Sequence, residues 1–135
     1  MKNINKGSCL CGKVTFEIVG NFDSFFICHC KHCQKDTGSA FASNLFSTNA
    51  KLKWLSGESN VKNFTLSDTR HAKSFCIDCG SALPSIQDEG KLLMAPAGSL
   101  DSLVNIKPNS HIFMKSKAQW ESELDDLETF NQFPS

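Results

Sequence analysis

Cys28, Cys30 and Cys33 fall within six residues, in the stretch FICHCKHCQKDTG, with His29 and His32 between them. Thiols crowded this closely serve as metal ligands or as reactive redox groups, since the thiolate does both kinds of chemistry. Two further pairs flank the cluster, Cys9-Leu-Cys11 and Cys76-Ile-Asp-Cys79. Spacing by two in an extended chain directs both side chains to one face, so Cys9 and Cys11 can reach the same ion. Cys76 and Cys79 have the C-x-x-C spacing of a zinc knuckle, in which a tight turn brings two thiolates to about 2.3 Å from one zinc. Gly12 and Gly80 each follow a pair and can turn the backbone around the ion at a positive φ. Two pairs make four ligands and a closed site. The remaining three make a tetrahedral site with one position left for water or substrate. Spacing alone also permits a zinc ribbon built from Cys30, Cys33, Cys76 and Cys79.

Several neighbours compete for roles. His29 or His32 could supply a fourth ligand to the three cysteines and close that site; in an extended segment His29 points away from Cys28 and Cys30, which leaves His32 as the candidate. His71 and His111 carry no motif and read as surface or core histidines. Arg70, the single arginine, could clamp a carboxylate through its planar fork but reads first as an exposed loop residue. Lys31, Lys35 and Asp36 lie beside the cluster and could serve binding or proton transfer, though such charges are usually solvated. The acidic run 121–128 reads as the wet face of a final helix. Trp120, Phe130 and Phe133 read as core, or as the edge of a pocket.

Hydrophobic alternation places the elements that must hold these groups. Val14, Phe16 and Ile18 alternate with polar residues, residues 25–28 form a short apolar run, and Phe41, Leu45, Leu52, Trp54, Val61 and Phe64 lie in short segments broken by Gly, Ser and Asn. Residues 82–86, 91–97 and 111–114 read likewise as strands. Only residues 117–127 show helical spacing, with Trp120, Leu124 and Leu127 on one face. The expectation is a mainly β fold with little helix, a single domain over residues 1–135, and a core thin enough to profit from a metal clamp. Formal net charge is zero and the basic residues are scattered, so no stripe exists to track a phosphate backbone, and nucleic acid is not an expected partner. No run of 18 apolar residues and no apolar stretch after the opening lysines is present, so neither a membrane span nor a secretory signal is expected. The GSC around Cys9 is accordingly not read as a lipidation site. The seven cysteines then point to a cytoplasmic chain that uses thiols for metal rather than for disulfides.

The motifs GSCLCGKVTFE, ICHCKHCQKDTGSAF and KSFCIDCGSAL occur in this order, and the tail reads HIFMKSKAQWESELDDLETF. Together they resemble the glutathione-dependent formaldehyde-activating (GFA) family over nearly the whole chain. The resemblance implies a β-tent of small stacked antiparallel sheets with two zinc ions per chain. It implies a structural site at Cys9, Cys11, Cys76 and Cys79, and a catalytic one at Cys28, Cys30 and Cys33. The implied activity is that of a carbon–sulfur lyase joining glutathione to formaldehyde, an S-(hydroxymethyl)glutathione synthase. Small thiols and aldehydes are thus the expected partners, and a homo-oligomer is left open.

The chemistry fits such a site. Adding a thiol to an aldehyde needs the thiolate, scarce at a pKa near 8.5, and stabilisation of the alkoxide that forms. Three thiolates leave a zinc site with a formal charge of about −1 and weakened Lewis acidity, which favours binding of the substrate thiol over polarisation of the carbonyl. The rival reading is a noncatalytic zinc module that binds a small thiol or a protein partner.

Overall fold

The structure, a computed structural model, describes residues 3–134. Three small sheets make up the fold. The first joins β1 (Ile4–Ser8), β2 (Thr15–Val19) and β5 (Lys51–Ser56) in antiparallel register, with Phe16 opposite both Gly7 and Trp54. Alternation along β2 is the reason it forms: Phe16 and Ile18 are fully buried, while Thr15 and Glu17 face outward. The Phe16 ring meets Trp54 edge-on at 5.8 Å, a favourable aromatic geometry.

The second sheet has β3 (Ser24–Cys28), β4 (Ala42–Ser47), β9 (Ser85–Gln87), β10 (Leu92–Pro96) and β11 (Ser110–Ile112) in the order β11-β3-β4-β10-β9. Its pairs are antiparallel except β11, which runs parallel to β3 and sets Ile112 beside Cys28. The third sheet, β6 (Val61–Thr65), β7 (Ala72–Cys76) and β8 (Ala82–Leu83), is an antiparallel hairpin with a short third strand. Val14, Phe16, Ile18, Phe25, Leu45, Leu83, Leu93 and Ala95 form the core between the sheets, and Cys9 and Cys76 belong to it. The mainly β fold of small sheets is as expected from the sequence.

Helix falls elsewhere than expected. Residues 117–127 form no α-helix but two 3-10 turns, Gln119–Glu121 and Leu124–Asp126, separated by extended Ser122 and left-handed Glu123 (φ 63°). Trp120, Phe130 and Phe133 are 63%, 43% and 90% exposed, so none is core. Among the described residues the α-helix is α1 (Lys31–Thr37). It is polar, buries only Cys33, begins at Cys30 as N-cap and ends at Gly38, whose φ of 67° suits a left-handed cap.

Candidate metal centre

Four thiols converge where the first and third sheets meet. Cys9, Cys11, Cys76 and Cys79 have sulfurs within 4.8 Å of one another, with Cys9 to Cys11 at 3.6 Å and Cys11 to Cys76 at 3.8 Å. The first pair is brought together by a turn rather than by the extended chain expected. The Gly12 N–H bonds the Cys9 carbonyl at 3.1 Å, and Gly12 has φ 82°. Likewise the Gly80 N–H bonds the Cys76 carbonyl at 2.7 Å with φ 75°, so both glycines do what their place after each pair predicted.

These sulfurs fit a tetrahedral cation. Four thiolates at about 2.3 Å from one zinc lie about 3.8 Å apart along each edge of the tetrahedron. Polar groups already face them: the Val14 N–H donates to Cys9 Sγ at 3.3 Å and the Asn60 amide donates to Cys76 Sγ at 3.3 Å. Such outer contacts fix ligand orientation in metal sites. The Ser81 hydroxyl, 3.3 Å from Cys79 Sγ, together with the Ser81 and Cys11 N–H groups, lowers the Cys79 thiol to about 5. Cys11 is pulled down by the Lys13 N–H, but burial and the three neighbouring thiols outweigh it and push the thiol up to about 11. All seven cysteines are free, and mutual repulsion prevents four adjoining thiolates from ionising together unless a cation joins them.

The second cluster is Cys28, Cys30 and Cys33, again with sulfurs within 4.8 Å of one another. Cys28 closes β3, Cys30 caps α1, and Cys33 lies in its first turn with its N–H donating to Cys30 Sγ at 3.3 Å. Burial raises the thiols of Cys28 and Cys33. At Cys30 burial opposes ionisation, but the Cys33 N–H and the neighbouring thiols lower it. This donor set also suits a thiophilic cation. Among the described residues no His, Asp or Glu atom joins the three sulfurs. The zinc-ribbon grouping is not realised, because Cys76 and Cys79 gather with Cys9 and Cys11.

His29 points away from the cysteines, as the extended geometry required, but it is not idle. Its ring is wholly buried, with Nε2 at 2.8 Å from His111 Nδ1 and Nδ1 at 2.6 Å from Glu121 Oε1. Glu121 therefore does not lie on a wet face: its side chain is 9% exposed, drawn inward by His29. No spacing or motif marks this contact, which joins residues 92 positions apart only through the tertiary fold.

Of the seven cysteines, only Cys28, Cys30 and Cys33 line a cleft of about 890 Å³. Arg70 is exposed, as read, yet contributes to the cleft wall; Lys31 and Lys35 point to solvent outside it. Asp36 is not a solvated charge. It is shared between Lys73 Nζ and His71 Nε2, the latter at 3.0 Å, and all three line the cleft. His32 lines it too, with its ring 5.4 Å from that of His71.

A family model described as glutathione-dependent formaldehyde-activating enzyme matches residues 4–116. The chain belongs to this family. Residues beyond 116, including Glu121, fall outside the matched segment. Among solved structures, a crystal structure of a Rhodobacter sphaeroides protein superposes with a TM-score of 0.55 at 19% identity, covering 78% of this chain and 98% of that one. That likeness is one of fold. No curated protein sequence matches the chain. GFA membership brings a glutathione and formaldehyde theme to the cysteine clusters, each of which could hold a metal ion. No helix among the described residues is long and apolar enough to cross a membrane.

Proposed function

We propose that this GFA-family chain is a cytoplasmic, single-domain, zinc-dependent carbon–sulfur lyase that joins glutathione to formaldehyde and reverses the reaction. Cys28, Cys30 and Cys33 hold the working zinc, and Cys9, Cys11, Cys76 and Cys79 hold a structural one. The observation that carries this reading is the cleft: three thiols with no fourth protein donor among the described residues line it, whereas the four-thiol set does not. Zinc bound there would supply an open coordination position for a substrate sulfur and lower that thiol's pKa.

The chain's own residues favour a small acidic thiol. A volume of about 890 Å³ lies within the range of small-molecule sites, large enough for a tripeptide. Phe26, Phe41 and Met94 give the walls apolar area, while Arg70 offers a fork for a carboxylate. Glutathione has two carboxylates and one thiol, and formaldehyde needs almost no space beside it.

Cobalt substitution tests the reading, because each added thiolate strengthens the sulfur-to-metal charge-transfer band. Glutathione should raise that band in the native protein and not in Cys30→Ser, and the native zinc protein should speed equilibration of glutathione with formaldehyde. Thiol binding without faster exchange would make the chain a binding module. No thiol response would mean that the fourth position is already filled.

A further inference from the structure

Helix α1 carries more toward the cleft than a cysteine. His32 and Asp36 are four residues apart and Cys33 and Asp36 three, so all three side chains lie on adjoining parts of one helical face. His71 is gripped from that face, its ring beside His32 at 5.4 Å and its Nε2 on Asp36 Oδ2 at 3.0 Å. The loop between β6 and β7 fixes it from the other side. The Leu66 N–H donates to the His71 carbonyl at 2.9 Å, and the His71 N–H donates to the Thr69 hydroxyl at 3.1 Å. With Nε2–H donating to Asp36, Nδ1 holds the lone pair. It has no protein partner among the described residues and is not one of the buried polar atoms left unpaired, so it is open to solvent, on a residue that lines the cleft.

This is the arrangement of a base held by an orienting carboxylate, one helical turn from a candidate metal ligand. Resting on the lyase reading above, we propose that His71 is the general base and acid of the thiol addition, with Asp36 as its positioning residue. Nδ1 takes the proton of the substrate S–H, the sulfur forms the C–S bond as the carbonyl π bond breaks, and the same nitrogen returns the proton to the oxygen. Atoms and electrons balance without an oxidant or reductant. The reverse reaction runs through the same groups. The charged and titratable groups around His71 are His32 and Asp36 from α1, Lys73 from β7, Arg70 in the preceding turn and the three cysteines of the cleft. Lys73 shares the Asp36 carboxylate and so keeps it in place for the imidazole.

The test compares native zinc protein with His71→Gln in the exchange of glutathione and formaldehyde, alongside metal content and the cobalt-band response to glutathione. His71→Gln should keep its metal and its thiol response but lose about 100-fold in exchange rate at saturating glutathione, the ordinary weight of a general acid–base group. The limb of the pH–rate profile that reports imidazole protonation should vanish, and added imidazole should restore part of the rate to His71→Ala. Should His71→Gln fail to fold, Asp36→Asn serves, with an expected loss of about 10-fold and unchanged thiol binding. A His71→Gln rate within about threefold of native, or a loss confined to thiol binding, overturns the proposal while the lyase reading stands. A native protein that gives no acceleration overturns both.

Discussion

Glu121→Ala tests whether the tail beyond the family-matched segment is part of the folded unit. The substitution removes a carboxylate oxygen in ion-pair contact, at 2.6 Å, with Nδ1 of a fully buried imidazole, and neither atom makes a hydrogen bond among the described residues. Leaving that buried nitrogen with no polar group to face costs about 1–3 kcal/mol, and contacts to charged groups reach the upper part of that range, so about 2–3 kcal/mol is expected here. With an unfolding entropy of roughly 2.1 cal/mol/K per residue over this length, that loss lowers Tm by about 7–11 °C. Calorimetry on metal-loaded protein measures it, with Glu128→Ala as a control. Glu128 is exposed, and its loss should stay within about 0.5 kcal/mol. Because His29 lies between Cys28 and Cys30, Glu121→Ala should also release metal from that cluster more readily, with the four-thiol cluster unaffected. A Tm within about 2 °C of native, on the same entropy scale, would refute the reasoning and leave the tail as a surface appendage.

Three more outcomes follow from the same geometry. Cys79→Ala should unfold or strongly destabilise the chain and cost it one metal, since that cluster ties residues far apart in sequence; a protein that keeps its thermal midpoint and both metals would sink the assignment. Cys30→Ser should fold, with most of its stability retained, and lose only the metal of the three-thiol cluster, checked by metal analysis beside thermal melting. Gly57→Ala should destabilise by more than about 1 kcal/mol in denaturant titration, because Gly57 has φ 73° and an added Cβ would collide with the Lys13 carbonyl oxygen.

What could be read from the chain depended on whether the signal was local. β2 announces itself because its buried residues, Phe16 and Ile18, are large and apolar. β1 and β7 do not, since β1 buries Asn5 and Gly7 and β7 buries Ser74 and Cys76, so neither has the apolar alternation that marks a strand. Helix α1 escaped for the same reason, its single buried residue being a cysteine. In the tail, spacing of four and three suggested a helix, but Glu121 is pulled inward by His29 and left-handed Glu123 breaks the chain two residues later. The cysteine groups were legible because ligand spacing is written in sequence. Asp36, Lys73 and His71 were not, because they meet only when α1 packs beside the hairpin of β6 and β7.

The two cysteine clusters differ most in what they enclose. Cys11 and Cys76 are separated by 65 residues, and a cation joining them would close a loop worth roughly 4 kcal/mol of unfolded-state entropy. Cys28 to Cys33 closes a loop of a few residues, for which the same relation gives roughly 2 kcal/mol. Cys9 and Cys76 are also core residues, packed with Val14, Phe16 and Leu83, so the four-thiol cluster and the hydrophobic core stand or fall together. The three-thiol cluster packs in a separate small group with Ala42 and Ile112, at the edge of the second sheet. Exchange of a ligand there disturbs little of the main core. A site whose coordination must change with each substrate is therefore best placed on the local cluster, and the cluster with the long reach is best kept closed.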